Sequence, residues 1–382
     1  MKSCAMRVPI ESLCLSVTSG GTPSRADTSF WEDGTIPWLK TGELKDWYLE
    51  DAEEKITPKA IAQSAAKIFP PNTVLMAMYG DGKTITTLGI LRNEAATNQA
   101  SCAMIADPEK CNFLYLFYAL MHHRHELLQL VVAGAQRNLS GGIIRAFKIF
   151  AYPLPIQNRI AATLSAYDNL IENNRRRMAL LEESARLLYR EWFVRLRFPG
   201  YEHTPIVDGV PQGWERLPLE AALILQRGFD LPTQDRQEGD VPIYGSTGIL
   251  GYHDKAKAVA PGVVTGRSGT LGEVQYVAED YWPLNTALWV KEFKRVTPLF
   301  ALFLLREMDL KQFNGGASVP TLDRKSVHRV EILIPSTPML RSFDEFAADV
   351  YAQIQNLTHQ NKKLRAARDH LLPRLMSGEI TV

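Results

Sequence analysis

The chain has 382 residues, of which 46% are hydrophobic, 22% charged and 9% aromatic, a composition that excludes disordered, collagen-like and fibrous classes and allows two or more domains with cores of their own. Its longest apolar runs, such as Phe113 to Met121 and Leu299 to Leu305, fall well short of the roughly 20 residues a membrane-spanning helix needs. With 43 Lys+Arg against 42 Asp+Glu, a formal net charge of +1, bulk charge gives no support for a nucleic-acid partner. Met1 to Ile10 lacks the apolar stretch of a secretory signal, so a cytoplasmic location is expected. Cys4, Cys14, Cys102 and Cys111 show no CxxC spacing and read as reduced thiols.

In chain order the first region predicts short strands, among them Thr73 to Met78 and Cys102 to Ala106, separated by Gly-rich turns, then an apolar helix from Asn112 to Val132. A strand-like run ending in Pro155 and a long helix follow. Phe198 to Gly213 holds three Pro and three Gly in 16 residues and reads as a linker. The same grammar then returns: strands at Gly262 to Gly266, Glu273 to Val277 and Ala287 to Val290, a helix from Thr297 to Asn314 with Thr297 as N-cap and Pro298 at its first position, a run ending in Pro338, and a second long helix.

The chain is therefore built twice. Leu139 maps onto Leu322, Ile149 onto Ile332, Pro155 onto Pro338, Ile160 onto Phe343 and Ile171 onto Ile354, all at a shift of 183. Val8-Pro9-Ile10-Glu11 maps onto Leu217-Pro218-Leu219-Glu220 at a shift of 209, so the first copy is longer by about 26 residues. The extra length is expected within residues 26 to 66, with no counterpart in the second copy to the segment carrying Trp31, Trp38 and Trp47.

Ile160, Leu164, Tyr167, Ile171, Asn174, Met178, Leu181, Ala185, Leu188 and Trp192 alternate steps of four and three, a heptad seam. Phe343, Ala347, Val350, Ile354, Leu357, Asn361, Leu364, Arg368, Leu371 and Leu375 repeat it. Antiparallel packing with position numbers summing to 535 sets Leu164 against Leu371, Ile171 against Leu364, Met178 against Leu357, Leu181 against Ile354, Trp192 against Phe343 and Asn174 against Asn361. A lone polar pair in an apolar seam penalises slips of register, while Tyr167 opposite Arg368 is the weak layer. The competing expectation is that each helix docks on its own globule. From Ile160 to Trp192 the seam is about 48 Å at ~1.5 Å per residue, or roughly 14 base pairs at ~3.4 Å each, which suits a bipartite linear target such as duplex DNA.

Ile156-Gln157-Asn158-Arg159-Ile160 through Leu170-Ile171-Glu172-Asn173-Asn174 to Glu191-Trp192-Phe193-Val194 resembles the first conserved helix of the specificity (S) subunits of type I restriction-modification systems, and Leu371-Leu372-Pro373-Arg374-Leu375 through Ser377-Gly378-Glu379-Ile380 resembles the end of their second. Gly20-Gly21-Thr22-Pro23-Ser24 with Ile36-Pro37-Trp38, and Pro242-Ile243-Tyr244-Gly245-Ser246, resemble the openings of their target recognition domains. Gly266-Arg267-Ser268-Gly269 followed by Asn285-Thr286-Ala287 is similar to the mid-domain signature, and the first copy departs from it with Met78-Tyr79-Gly80-Asp81-Gly82-Lys83.

The resemblance implies an α+β fold with two β-rich α/β target recognition domains in pseudo-twofold arrangement, separated by two long helices in an antiparallel coiled coil. The boundaries expected are a first recognition domain at 1–155, a spacer helix at 156–197, a linker at 198–213, a second recognition domain at 214–338, and a second spacer helix with the C-terminal tail at 339–382. It further implies a non-catalytic subunit that recognises split duplex DNA, one half-site per domain. Two methyltransferase (M) subunits and endonuclease-translocase (R) subunits assemble on it. S-adenosylmethionine, ATP and Mg2+ belong to those partners, and no cofactor or metal belongs to this chain. Arg175, Arg176, Glu183 and Arg186 are the expected methyltransferase docking face.

The residues agree with absent catalysis. Phe69-Pro70-Pro71-Asn72 only scrambles the Asn-Pro-Pro-aromatic motif of adenine methyltransferases, and Gly82-Lys83-Thr84 lacks the P-loop glycine, which is Ala77. His122, His123 and His125 have no paired Cys spacing for zinc. Acids are missing between Glu126 and Asp168, from Lys55 to Gly80 and from Lys255 to Gly272, so basic groups on loops are available for phosphates or guanine edges. The DNA-binding candidates are Thr22, Ser24, Arg25, Lys40 and Lys83 in the first copy and Tyr244, Ser246, Arg267 and Ser268 in the second. Arg137, Asn138, Arg324 and Lys325 lie at the turns before the long helices. The alternative class is a stand-alone DNA-binding scaffold or regulator without a methyltransferase partner.

Overall fold

In a computed structural model, the described residues are 6–80, 84–131, 138–316 and 318–381. They fall into two compact units: residues 1–173 with 360–382, and residues 174–359.

In the first unit, Cys14–Ser19, Ser101–Ala106, Val74–Ala77, Leu88–Leu91 and Trp47–Leu49 form a five-stranded sheet in that spatial order. Val74–Ala77 and Leu88–Leu91 are buried on both faces, which their continuous apolar sequence requires. One face packs on the helix Phe113–His122, whose Tyr115, Leu116, Phe117 and Tyr118 are buried. Asn112 caps that helix, its Oδ1 accepting from the Leu114 and Tyr115 amides at 2.8 and 3.2 Å. The helix expected from Asn112 to Val132 breaks after His122 and resumes as Arg124–Gln129, with Val132 outside the described residues. A second sheet orders Glu54–Ile56, Ile36–Leu39, Ala95–Thr97 and Ile68–Phe69.

The second unit repeats the plan. Leu223–Arg227, Ala287–Phe293, Gly262–Gly266 and Val274–Val277 form a four-stranded sheet, and Gly248–His253, Val241–Gly245 and Trp282–Pro283 a three-stranded one. Its apolar helix is Pro298–Glu307, with Thr297 Oγ1 accepting from the Phe300 amide at 3.2 Å. The stretch expected to continue it to Asn314 is a separate 3-10 turn, Leu310–Phe313.

The repeat read from the sequence is visible in the strand registers. Val8 pairs with Ile149 and Leu217 with Ile332, both antiparallel, so in each copy the opening strand is closed by the run that leads into the long helix. The extra length of the first copy is narrower than expected. Ile36–Leu39, which carries Trp38, has a counterpart in Val241–Gly245: each lies parallel to a short strand that follows the mid-domain turn in the chain, Trp38 beside Ala96 and Ile243 beside Trp282. What the second copy lacks is the excursion between Leu39 and Glu54. There Trp47–Leu49 adds a fifth strand beside Leu88–Leu91, whereas the second copy closes the corresponding hairpin directly at Gly245 and Gly248.

The long helices run Leu154–Tyr189, extended by one π-helical turn at Arg190–Val194, and Thr337–Met376. Within the first unit Ile160, Ala161 and Leu164 share a core with Leu372, Leu375 and Met376, and Asn361 Nδ2 donates to Ile171 O at 3.3 Å. Within the second unit Ala185, Tyr189 and Phe193 share one with Phe343, Ala347 and Val350. Trp192 meets Phe343 edge-on at 6.5 Å, and Thr358 Oγ1 lies 3.3 Å from Met178 Sδ. The pairing is antiparallel, as the seam requires.

The strict heptad is nevertheless not kept. Asp168 is buried while Tyr167 is half-buried, and Tyr189 and Phe193 are deeper than Leu188 and Trp192. In the other helix Leu372 replaces Leu371 as the buried position. An α-helix of 3.6 residues per turn drifts ~20° per heptad against a 3.5 repeat, which fits the advance to Tyr189 and Phe193 beyond Ala185, whereas Asp168 lies between the buried heptad positions Leu164 and Ile171 and is engaged by Tyr118 and Arg368. Asn174 and Asn361 are both buried.

Candidate nucleic-acid interface

Each unit builds one turn in the same way. The first long strand ends at a glycine for which there is no substitute: a Cβ on Gly20 would lie 1.9 Å from Thr97 O, and one on Gly228 2.2 Å from Leu284 O. The next amide bonds to the neighbouring parallel strand, Gly21 N to Thr97 O at 2.9 Å and Phe229 N to Pro283 O at 2.8 Å. The residue after that carries a polar side chain that ties to the loop following that strand. Thr22 Oγ1 pairs with Gln99 Oε1 in the first unit, and Asn285 Nδ2 donates to Asp230 Oδ1 in the second.

The mid-domain turns match equally well. Met78 N donates to Ala100 O at 2.8 Å and Arg267 N to Thr286 O at 2.9 Å; Leu139 N donates to Met78 O at 2.9 Å and Leu322 N to Arg267 O at 2.8 Å. Met78 thus occupies the place of Arg267, so the turn survives the departure from the Gly-Arg-x-Gly pattern, but the side chain is buried and uncharged. Asn138 bridges Tyr79, and Ser268 bridges Thr321. Lys83 and Arg137 lie outside the described residues.

Several sequence candidates are already engaged. Arg25 stacks on Trp31 at 3.7 Å and pairs with Glu54 at 2.6 Å. Lys40 pairs with Glu53 at 3.0 Å and the same Glu54 at 3.2 Å. Arg25 and Lys40 are thereby brought together on one carboxylate. Arg267 Nη1 donates to Asn285 O at 3.0 Å, bracing the mid-domain turn. Tyr244 packs edge-on to Tyr281 at 5.8 Å, and burial pushes its hydroxyl up to about 12. Ser24 Oγ accepts from Ala26 N at 3.3 Å, and Ser246 is half-buried beside Gly266.

Arg324 and Lys325 are exposed on the short helix Arg324–His328, capped by Asp323, whose Oδ1 accepts from Lys325 N at 3.0 Å. That helix is anchored by His328 Nε2, which accepts from Leu225 N at 3.0 Å; burial lowers its pKa and favours the neutral ring this bond needs.

The sequence reading missed Gln99, Asp230 and Arg236. Gln99 is 77 residues from Thr22 and Asn285 is 55 from Asp230, so no local pattern could pair them. The histidines make no metal cluster: His123 is buried with Nδ1 2.9 Å from Glu126 Oε1, and no group of three metal-binding side chains is found among the described residues. No helix among the described residues is long and apolar enough to cross a membrane.

Residues 6–183 match the family model for the type I restriction modification DNA specificity domain. The chain is 25% identical to the type I restriction enzyme MjaIX specificity subunit of Methanocaldococcus jannaschii, over 96% of this chain and 91% of that one. It is 23% identical to the EcoprrI specificity subunit of Escherichia coli, over 86% and 84%. The crystal structure of a type I restriction-modification S subunit from M. genitalium shares the fold, with a TM-score of 0.59 at 16% identity over 98% of this chain and 96% of that one. Residues 6–183 thus carry the sequence pattern of a type I restriction modification DNA specificity domain, and over nearly its whole length the chain is similar to specificity subunits of type I restriction-modification systems.

Proposed function

We propose that this chain recognises a bipartite duplex DNA sequence, one half-site per unit, and carries methyltransferase and endonuclease-translocase subunits that perform the chemistry. The observation that carries the reading is the turn built twice on one backbone plan with different polar side chains, Thr22 with Gln99 and Asp230 with Asn285. A shared scaffold with differing base-facing groups is what reading two unlike half-sites demands. The boundaries proposed are recognition domains at 1–155 and 214–338 with spacer helices at 156–197 and 339–382. S-adenosylmethionine, ATP and Mg2+ act on the partners.

The exposed Arg175 and Arg176, with Glu183 and Arg186 joined at 2.7 Å, form the proposed methyltransferase face. Because the net charge is only +1 and two of the candidate cations are held by Glu54, nonspecific phosphate attraction is supplied largely by the partners. Coexpression with the methyltransferase of an adjacent gene tests this. The chain should copurify with it, bind DNA weakly alone, and bind tightly and specifically in the complex. Tight, salt-resistant binding by the chain alone, with no copurification, would instead identify a stand-alone scaffold.

A further inference from the structure

Beside the second unit's turn lies a recess of about 360 Å³ lined by Asp230, Leu231, Thr233, Arg236, Asn285 and Thr286 among others. Two of its polar groups have no internal partner. Arg236 Nε is buried without a hydrogen bond, and among the described residues its guanidinium forms no ion pair; Thr286 Oγ1 is likewise buried and unbonded. The unbonded Nε and hydroxyl, beside a carboxylate already engaged by Asn285 and by Arg227 at 3.1 Å, give the recess polar groups that a ligand can complete.

Resting on the proposed function, we infer that this recess reads one nucleobase edge of the second unit's half-site, with Arg236 as the reading group and guanine as its base. The lining combines donors from Arg236 and Thr286 with the acceptor Asp230. A phosphate offers acceptors only and gives the Asp230 carboxylate no donor, whereas a G·C pair presents the guanine O6 and N7 acceptors beside the cytosine N4 donor. The guanidinium fork matches the O6 and N7 acceptors of guanine. In the first unit the residue just past the corresponding 3-10 turn is Trp31, packed on Trp38 at 5.1 Å and covered by the paired Arg25, and Thr22 stands in place of Asp230. The discrimination therefore belongs to one half-site.

Genome-wide N6-methyladenine mapping of cells carrying the complex with the wild-type chain, Arg236→Ala or Arg236→Gln tests it. The wild type should give a bipartite motif, and both variants should lose roughly tenfold or more discrimination against non-guanine bases at one position of one half-site, leaving the other half-site unchanged. An unaltered motif in both variants overturns the inference and leaves the proposed function standing. Weakening that is uniform across all sequences in both variants also overturns it, since that is the behaviour of a phosphate-binding or a structural residue. Absence of any bipartite motif in the wild type overturns both.

Discussion

Arg368 and Asp168, 200 residues apart, meet as an ion pair inside the first unit, and the Tyr118 hydroxyl donates to the other oxygen of the same carboxylate at 2.7 Å. The side chains are only 14% and 7% exposed. Burial raises the Asp168 pKa despite its partners, while Asp168 and Asp369 hold Arg368 charged against its own burial, and a buried pair of this kind adds little over well-packed apolar residues while being costly to break. Arg368→Ala, which strands a buried carboxylate, should cost about 3 kcal/mol in chemical denaturation. Replacing both with leucine should cost clearly less. Equal losses would show that the pair is a strong net stabiliser.

The antiparallel pairing is tested within the second unit. Met178→Cys with Thr358→Cys, whose present side chains touch, should form a disulfide on mild oxidation of the folded chain. Failure to crosslink while the chain remains folded would contradict the pairing.

Much of this organisation is legible in the sequence. The shifts of 209 and 183 mark the same residues that pair in the fold, Val8 with Ile149 and Leu217 with Ile332, because strand ends and prolines carry local signals that survive duplication. The heptad steps locate both long helices, yet point to Tyr167 where Asp168 is buried, since the partners of Asp168, Tyr118 and Arg368, lie on elements remote in sequence. Basic loop residues are identifiable, but not their occupation: Glu54, which holds both Arg25 and Lys40, comes from a strand whose position only the tertiary fold fixes. Arg236 carries no motif at all, and its significance lies in what it does not touch.

Glu54→Gln removes the carboxylate that holds Arg25 and Lys40. DNA binding by the complex should then depend more steeply on salt, the log K against log salt slope growing by roughly 0.9 for each further phosphate that a released cation neutralises. An unchanged slope would mean that neither cation faces the backbone.

His328 gives a pH dependence of known sign. Its pKa is lowered in the folded chain, chiefly by burial, so the unfolded chain binds the proton more tightly. Its contribution to stability is complete above the ordinary histidine value and is lost as pH falls through the lowered one. Urea midpoints measured against pH should show this slope in the wild type and a flatter one in His328→Gln, which keeps an acceptor for Leu225 N. Identical slopes would place the titration elsewhere.

The central claim, that the chain dictates a split DNA sequence through two unlike units, is tested most directly by mapping N6-methyladenine across the genome with and without this gene. The account predicts one bipartite motif, two defined half-sites separated by an unspecified spacer, present only when the chain is present. A continuous motif, or a methylation pattern indifferent to the gene, would contradict it.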